Sequence, residues 1–338
     1  MRIGNNRKRI WITIAIVLVI ILILVYFVEW DEVVYIFKLT NWGIVILGTV
    51  PLILGYILIS IRWRMILASK PGLLNTFNSD SIGYMVTMFT PVPAPALRAV
   101  TLNRVSSLPL HYVSSGMVVE TLLGIVMRIL AIIATILLTT KITESIGSII
   151  VSGLVIVLTF VGIIWLVNHT EQVVKKIGGW IKQLPFIDAE RLDPILTEIQ
   201  TGVREVGSNR RLTIGMLNSI IMWALFSVFL ILAWMALPVD LTPREMLVLA
   251  VASLIFVPPS APAMIGVYQG VLVGSLLLLR ITDVTTLTAY SIIIFTVQVL
   301  FWVIMGVWAL FRTDLKLNEL INRTRSIVQE GDQDDPSS

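Results

Sequence analysis

The chain has no cysteine and only two histidines, His111 and His169, in 338 residues. The first absence removes disulfides, thiolate metal sites and cysteine nucleophiles together. The second leaves nothing from which to build a histidine metal centre. Charge is scarce as well: 14% of the residues are Asp, Glu, Lys or Arg, while 57% are apolar. A soluble domain carries roughly 25% charged residues, because water must wet its surface. With a mean hydropathy of +0.91, lipid is the expected solvent for most of this chain. Recognisable catalytic motifs are missing too. There is no phosphate-binding Gly-x-x-x-x-Gly-Lys loop, no His-Glu-x-x-His, and no acidic pair beside a membrane face to hold a metal and a sugar phosphate; the adjacent Asp334 and Asp335 sit in the polar C-terminal tail. We therefore expect no enzyme, no cofactor and no ATP-driven pump. The pI near 9.4 does not indicate nucleic acid, because the basic residues form no single patch and lie at segment ends.

What is present is a series of long apolar runs. Ile10–Val28 follows Arg2, Arg7, Lys8 and Arg9, and reads as a retained first helix, too long for a signal peptide and followed by no small-residue cleavage site. Further spans are expected at Trp42–Ile61, Ser114–Leu138, Ile146–Val167, Ile214–Leu237 and Leu287–Phe311. Two remaining apolar regions are broken at their centres. Ser79–Ser107 is interrupted by Pro91, Pro93 and Pro95, and Arg244–Leu279 by Pro258, Pro259 and Pro262, with Ser260 between them. Proline lacks the amide donor and clashes with the preceding turn, so each cluster ends a helix. The arms on either side are short of the ~20 residues needed to cross a bilayer. Broken backbone survives at membrane depth only where protein or a watery cavity solvates it. Two re-entrant hairpins meet these conditions.

The charge distribution agrees. With six crossings and a cytoplasmic N-terminus, the inside holds four basic residues before the first span and five around the first hairpin (Arg62, Arg64, Lys70, Arg98, Arg104). Seven more lie in the 169–212 loop and four in the tail, and the outside holds Lys38, Lys141, Arg244 and Arg280. That asymmetry is the positive-inside pattern. The expected fold is an all-α polytopic membrane protein of about six transmembrane helices plus two Pro-broken re-entrant hairpins. Its halves, about 10–139 and 146–311 within one domain spanning 1–338, form an inverted repeat, a transporter design. In the 169–212 loop the spacing predicts an amphipathic helix from Val173 to Leu184 on the cytoplasmic surface and a second starting at Asp193. The tail at 326–338 reads as disordered. The expected setting is a plasma membrane with both termini in the cytoplasm.

These features resemble the flippase-like family of the lysylphosphatidylglycerol synthase transmembrane region. The matching residues are Gly83, the turn Pro91 to Pro95, Arg98, the stretch Leu102 to Val105, Glu120, and a later turn Pro258 to Pro262 followed by Gly266-Val267-Tyr268-Gln269. The resemblance implies a helical fold with re-entrant elements and a role in moving lipids or lipid-linked sugars between leaflets. The chain departs from the family pattern at Thr121 and Gly124, where Arg and Asp are usual. It also departs at Gln269, which replaces an acidic residue, and near Ile294, where an Arg is common. The synthase branch carries a soluble aminoacyl-transfer domain after its membrane part. None lies in these 338 residues, so lysyl transfer is not expected.

The candidate substrate-binding residues are Arg98, Glu120, Arg128, Gln269 and Ser260. Arg128 falls mid-span, where an arginine costs at least ~2.5–3.5 kcal/mol; it reads as a counter-charge for a lipid phosphate or, structurally, as half of an ion pair or a snorkelling side chain. Glu120 precedes it by eight residues, about 12 Å along a helix, so each needs a partner from another segment. Arg98, at the start of the hairpin's second arm, reads as a phosphate contact or as an orientation charge. Asp80, Tyr84 and His111 are weaker candidates near the same hairpin. Gly266, Gly270 and Gly274 repeat every four residues and suit close helix packing; Gln269 between them suits either a headgroup or the core. The leading expectation is a flippase for an anionic phospholipid or lipid-linked sugar. A carrier for a small anion and a non-transporting membrane scaffold are the competing expectations.

Overall fold

A computed structural model describes residues 28–90, 92–139, 209–255 and 264–333. Those residues form helices without strands. Most of the expected span Ile10–Val28, all of Ile146–Val167 and the 169–208 part of the loop lie outside them, as do Pro91, Pro258, Pro259, Ser260 and Pro262. Ten helices are described: α1 Trp30–Leu39, α2 Trp42–Ile66, α3 Leu73–Phe89, α4 Ala94–Ser106, α5 Leu110–Thr139, α6 Asn209–Ala236, α7 Pro243–Ile255, α8 Met264–Leu277, α9 Val284–Thr313 and α10 Leu317–Gln333. Four contain stretches long and apolar enough to cross a membrane: Trp42–Ile66, Leu110–Thr139, Thr213–Ala236 and Val284–Thr313. In lipid the helix is the one open-chain form that satisfies its own amides and carbonyls, which is why these apolar runs fold as they do.

Both proline clusters separate two short helices. α3 stops at Phe89, and α4 starts with Pro93 at its N-cap and Pro95 in its first turn, where a missing amide costs nothing. At 17 and 13 residues the two arms reach about 25 and 20 Å, each less than a ~30 Å hydrocarbon core. The Thr87 hydroxyl lies 2.8 Å from the Gly83 carbonyl and 3.2 Å from that of Val92, inside the break. The break is thus held to its own first arm by polar contacts. α7 opens on a capping box: Glu245 accepts from the Thr242 amide and hydroxyl at 2.8 and 2.7 Å, and its own amide donates to the Thr242 hydroxyl. α9 is capped by Asp283, which accepts from the Thr286 amide at 2.8 Å.

α2 and α6 pack along one another; α3 packs on α9, and α7 packs on α5. Each of the two short-helix pairs thus leans on a long helix outside it. Glycine permits the closest of these approaches. A Cβ at Gly55 would meet the Phe226 ring at 2.4 Å, and one at Gly306 would meet Met85 at 2.6 Å and the Ser81 carbonyl at 2.9 Å.

α10 runs from Leu317 to Gln333, past the start of the tail at 326. Ahead of that point, Leu320 and Thr324 are buried, and Leu317, Leu320 and Ile321 join a cluster with Leu97 and Val100 of α4.

Candidate functional site

A cavity of about 320 Å³ lies between the two broken pairs, lined by residues of α2 through α9. One wall is aromatic and apolar: Tyr56, Tyr84, Phe226, Phe229, Tyr268 and Trp302 with Leu52, Ile59 and Met88. The rings form a continuous surface, with centroids 4.3 Å apart for Tyr56 and Trp302 and 4.5 Å for Tyr84 and Trp302. The lining also carries Arg62, Arg98, Glu120 and Arg128.

Three of those four side chains belong to one buried ion network. Glu120 of α5 accepts from Arg62 Nη2 at 2.9 Å and from Arg98 Nη2 at 3.2 and 3.0 Å, through Oε1 and Oε2 respectively. Arg98 of α4 also donates through Nε to Asp80 Oδ1 of α3 at 2.7 Å. Asp80 in turn accepts from the Ser60 hydroxyl. Arg62 of α2 donates through Nη1 to Ser219 of α6 at 2.9 Å, so the network ties five helices together. Its charged members are 0–5% exposed, and two cations balance two carboxylates. That balance is what burial demands, because an unpaired charge at this depth is strongly destabilising. The Arg98 guanidinium is further sandwiched between the rings of Trp63 and Tyr84, at 4.7 and 5.0 Å. None of the described hydrogen bonds engages Arg98 Nη1, which leaves donor capacity on a side chain that faces the cavity.

Helical periodicity explains the convergence. Asp80, Tyr84 and Thr87 are spaced by four and three residues on α3. Leu52, Tyr56, Ile59 and Arg62 are spaced the same way on α2. Gly83 sits in the middle of the α3 face: a Cβ there would lie 2.3 Å from Arg98 Cγ. Its missing side chain is the space through which Arg98 reaches Asp80.

The sequence candidates are distributed unevenly. Arg98, Glu120 and Arg128 all line the cavity. Pro95 lines it, while Pro93 is exposed at the helix cap. Gln269 is buried, but the neighbouring Tyr268 is the residue of that arm facing the cavity. Gly266, Gly270 and Gly274 lie on α8, and among the described residues a Cβ at Gly274 would meet nothing within 4 Å. His111 is exposed. Arg62 is the residue that sequence reasoning misplaced. It counts there as a cytoplasmic orientation charge, yet it is buried and paired, and Arg98 likewise leaves that tally. The available signal was its register: Arg62 continues the stripe of Leu52, Tyr56 and Ile59. Gln298, Trp302 and Tyr56, all at the cavity, carried no distinguishing mark in the sequence.

Helices of membrane-crossing length around a buried ion network define an α-helical, multi-pass integral membrane protein. The chain belongs to the family described as the lysylphosphatidylglycerol synthase TM region, whose profile covers residues 10–310. No curated protein and no solved structure matches it.

Proposed function

We propose that this protein moves an anionic amphiphile, a phospholipid or a lipid-linked sugar phosphate, between the leaflets of a plasma membrane. In this reading six helices cross the bilayer, the two broken pairs are re-entrant hairpins in an inverted repeat, and both termini are cytoplasmic. The observation that carries it is the composition of the cavity. Guanidinium groups in the lining offer charge-assisted donors to a phosphate, and the aromatic and apolar residues beside them suit the glycerol and proximal acyl region. The two halves supply the rigid units whose rocking would alternate access. Arg98, Glu120 and Arg128 escort the headgroup, and the acyl chains remain in lipid.

The test is reconstitution in liposomes carrying fluorescent phospholipid in both leaflets, followed by a membrane-impermeant quencher. Bleaching well beyond the outer-leaflet half, lost in Arg98→Ala and Arg128→Ala, is the expected result. Bleaching that stops at half in the native protein refutes general phospholipid translocation and favours a carrier for a small anion. Full bleaching in both variants refutes the assigned site.

A further inference from the structure

The place between Arg62 and Arg98 is already an occupied anion site, and its occupant is the protein's own Glu120. Two guanidiniums converge on a single carboxylate at 2.9–3.2 Å. A phosphodiester presents a guanidinium with a similar pair of oxygens. Because all three side chains line the cavity, a ligand phosphate entering it meets these cations with their carboxylate in place.

We infer that Glu120 is a resident anion that holds the position of a ligand phosphate, is displaced by it, and takes up a proton when displaced. The inference rests on the reading that the cavity binds a phosphate-bearing headgroup, and it adds how the headgroup is admitted and what accompanies it. Among Arg62, Arg98, Asp80 and Glu120, with Arg128 about two turns away along α5, the charge balance calls for the proton. Arg62 and Arg98 are neutralised by Asp80 and Glu120, so an incoming phosphodiester monoanion leaves the cluster with one negative charge in excess. An uncompensated charge at this depth is expensive. One proton from solution, bound as Glu120 carboxylate becomes carboxylic acid, restores neutrality, and the loaded site carries no added charge.

Glu120 is the acceptor, and Asp80 is not. Asp80 is fully buried, held by Ser60 and Arg98, and does not line the cavity. The groups facing Glu120 are accounted for element by element. α2 brings Arg62, α3 brings Asp80 and Tyr84, α4 brings Arg98, and α6 brings Ser219, which reaches it through Arg62. α7, packed on α5, brings Arg244 to the Leu138 carbonyl at the far end. Arg128 lies two turns along α5, about 12 Å away.

The experiment is titration calorimetry of the purified full chain with dihexanoyl phosphatidylglycerol and, separately, inorganic phosphate. Buffers of different ionisation enthalpy count the protons. We expect the native protein to take up about one proton per lipid bound, with binding weakening by up to about tenfold for each unit of pH rise. Glu120→Gln removes the internal competitor. It should bind without proton uptake or pH dependence, and at pH 8 more tightly than the native protein, by about tenfold for each pH unit separating 8 from the plateau of native binding. Glu120→Asp should retain the uptake. Native binding without proton uptake overturns the exchange and leaves the headgroup reading standing. So does weaker binding by a folded Glu120→Gln. No lipid binding at any pH, with phosphate bound and a proton taken up beyond that seen with Glu120→Gln, supports the exchange and refutes the lipid reading. Should Glu120→Gln not fold, Asp80→Asn decides: it starts the cluster one positive charge in excess, so uptake lost there supports the charge balance, and uptake retained overturns it.

Discussion

Alanine at position 83 puts one methyl group where the Arg98 side chain now passes. The new Cβ would stand 2.3 Å from Arg98 Cγ and 3.4 Å from its Cβ and Cδ. Cγ is near the root of the side chain, and the guanidinium beyond it is fixed by Asp80, Glu120, Trp63 and Tyr84. Arg98 therefore has no easy rotation away. Either α3 and α4 separate, at the ~1–3 kcal/mol typical of overpacking, or Arg98 withdraws, leaving Asp80 without a cation and Glu120 to Arg62 alone, at ~3–5 kcal/mol. We expect Gly83→Ala to lose about 1–3 kcal/mol, the cheaper of the two routes. Gly274→Ala is the control, since a Cβ there meets nothing within 4 Å, and it should be neutral or slightly stabilising because alanine is the better helix former. The assay is reversible denaturation in detergent, arranged as a double-mutant cycle with Arg98→Ala. If the room at Gly83 exists for Arg98, most of the Gly83→Ala penalty disappears once the long side chain is gone. Additive penalties, within about 0.5 kcal/mol, would refute the argument, because Gly83 would then serve the α3–α4 contact in general.

Two further outcomes follow from the same structure. Arg62→Lys keeps the charge but cannot span Ser219 and Glu120 with one fork, and should cost about 1.5–3 kcal/mol in the same denaturation assay; an unchanged midpoint would show that the fork adds nothing. At Asp283, partial burial pushes the carboxyl up, but hydrogen bonds from Thr286 and neighbouring amides prevail and hold it below the ordinary aspartate range. A group depressed on folding stabilises fully above its unfolded value, near pH 4, and that contribution is lost as pH falls through the lower folded value; the stability gap between native protein and Asp283→Ala, about 1 kcal/mol at pH 6 for a lost cap, should close on acidification below pH 4.

The sequence by itself determined where the helices lie. Trp42–Ile61, Ser114–Leu138, Ile214–Leu237 and Leu287–Phe311 fall within or against the observed Trp42–Ile66, Leu110–Thr139, Asn209–Ala236 and Val284–Thr313. The break between Phe89 and Ala94 falls where the prolines place it. Both are local properties: a run of apolar residues in lipid has to close its hydrogen bonds internally, and a proline stops that closure wherever it stands. Arg98 and Glu120 were legible because a charge inside an apolar segment is costly enough to require a use. Their mutual pairing was not legible, and neither was the burial of Arg62, whose partner Glu120 is 58 positions away and whose second partner Ser219 is 157 away. A hydropathy window treats an arginine at a span's end as wet, and only the packing of α2, α3, α4, α5 and α6 around it shows that it is dry. The same packing seated Leu317, Leu320 and Ile321 of α10 against α4, and assembled the cavity from residues of eight helices. Tertiary structure decided these points because burial and pairing are properties of neighbours, and the neighbours here are supplied by distant parts of the chain.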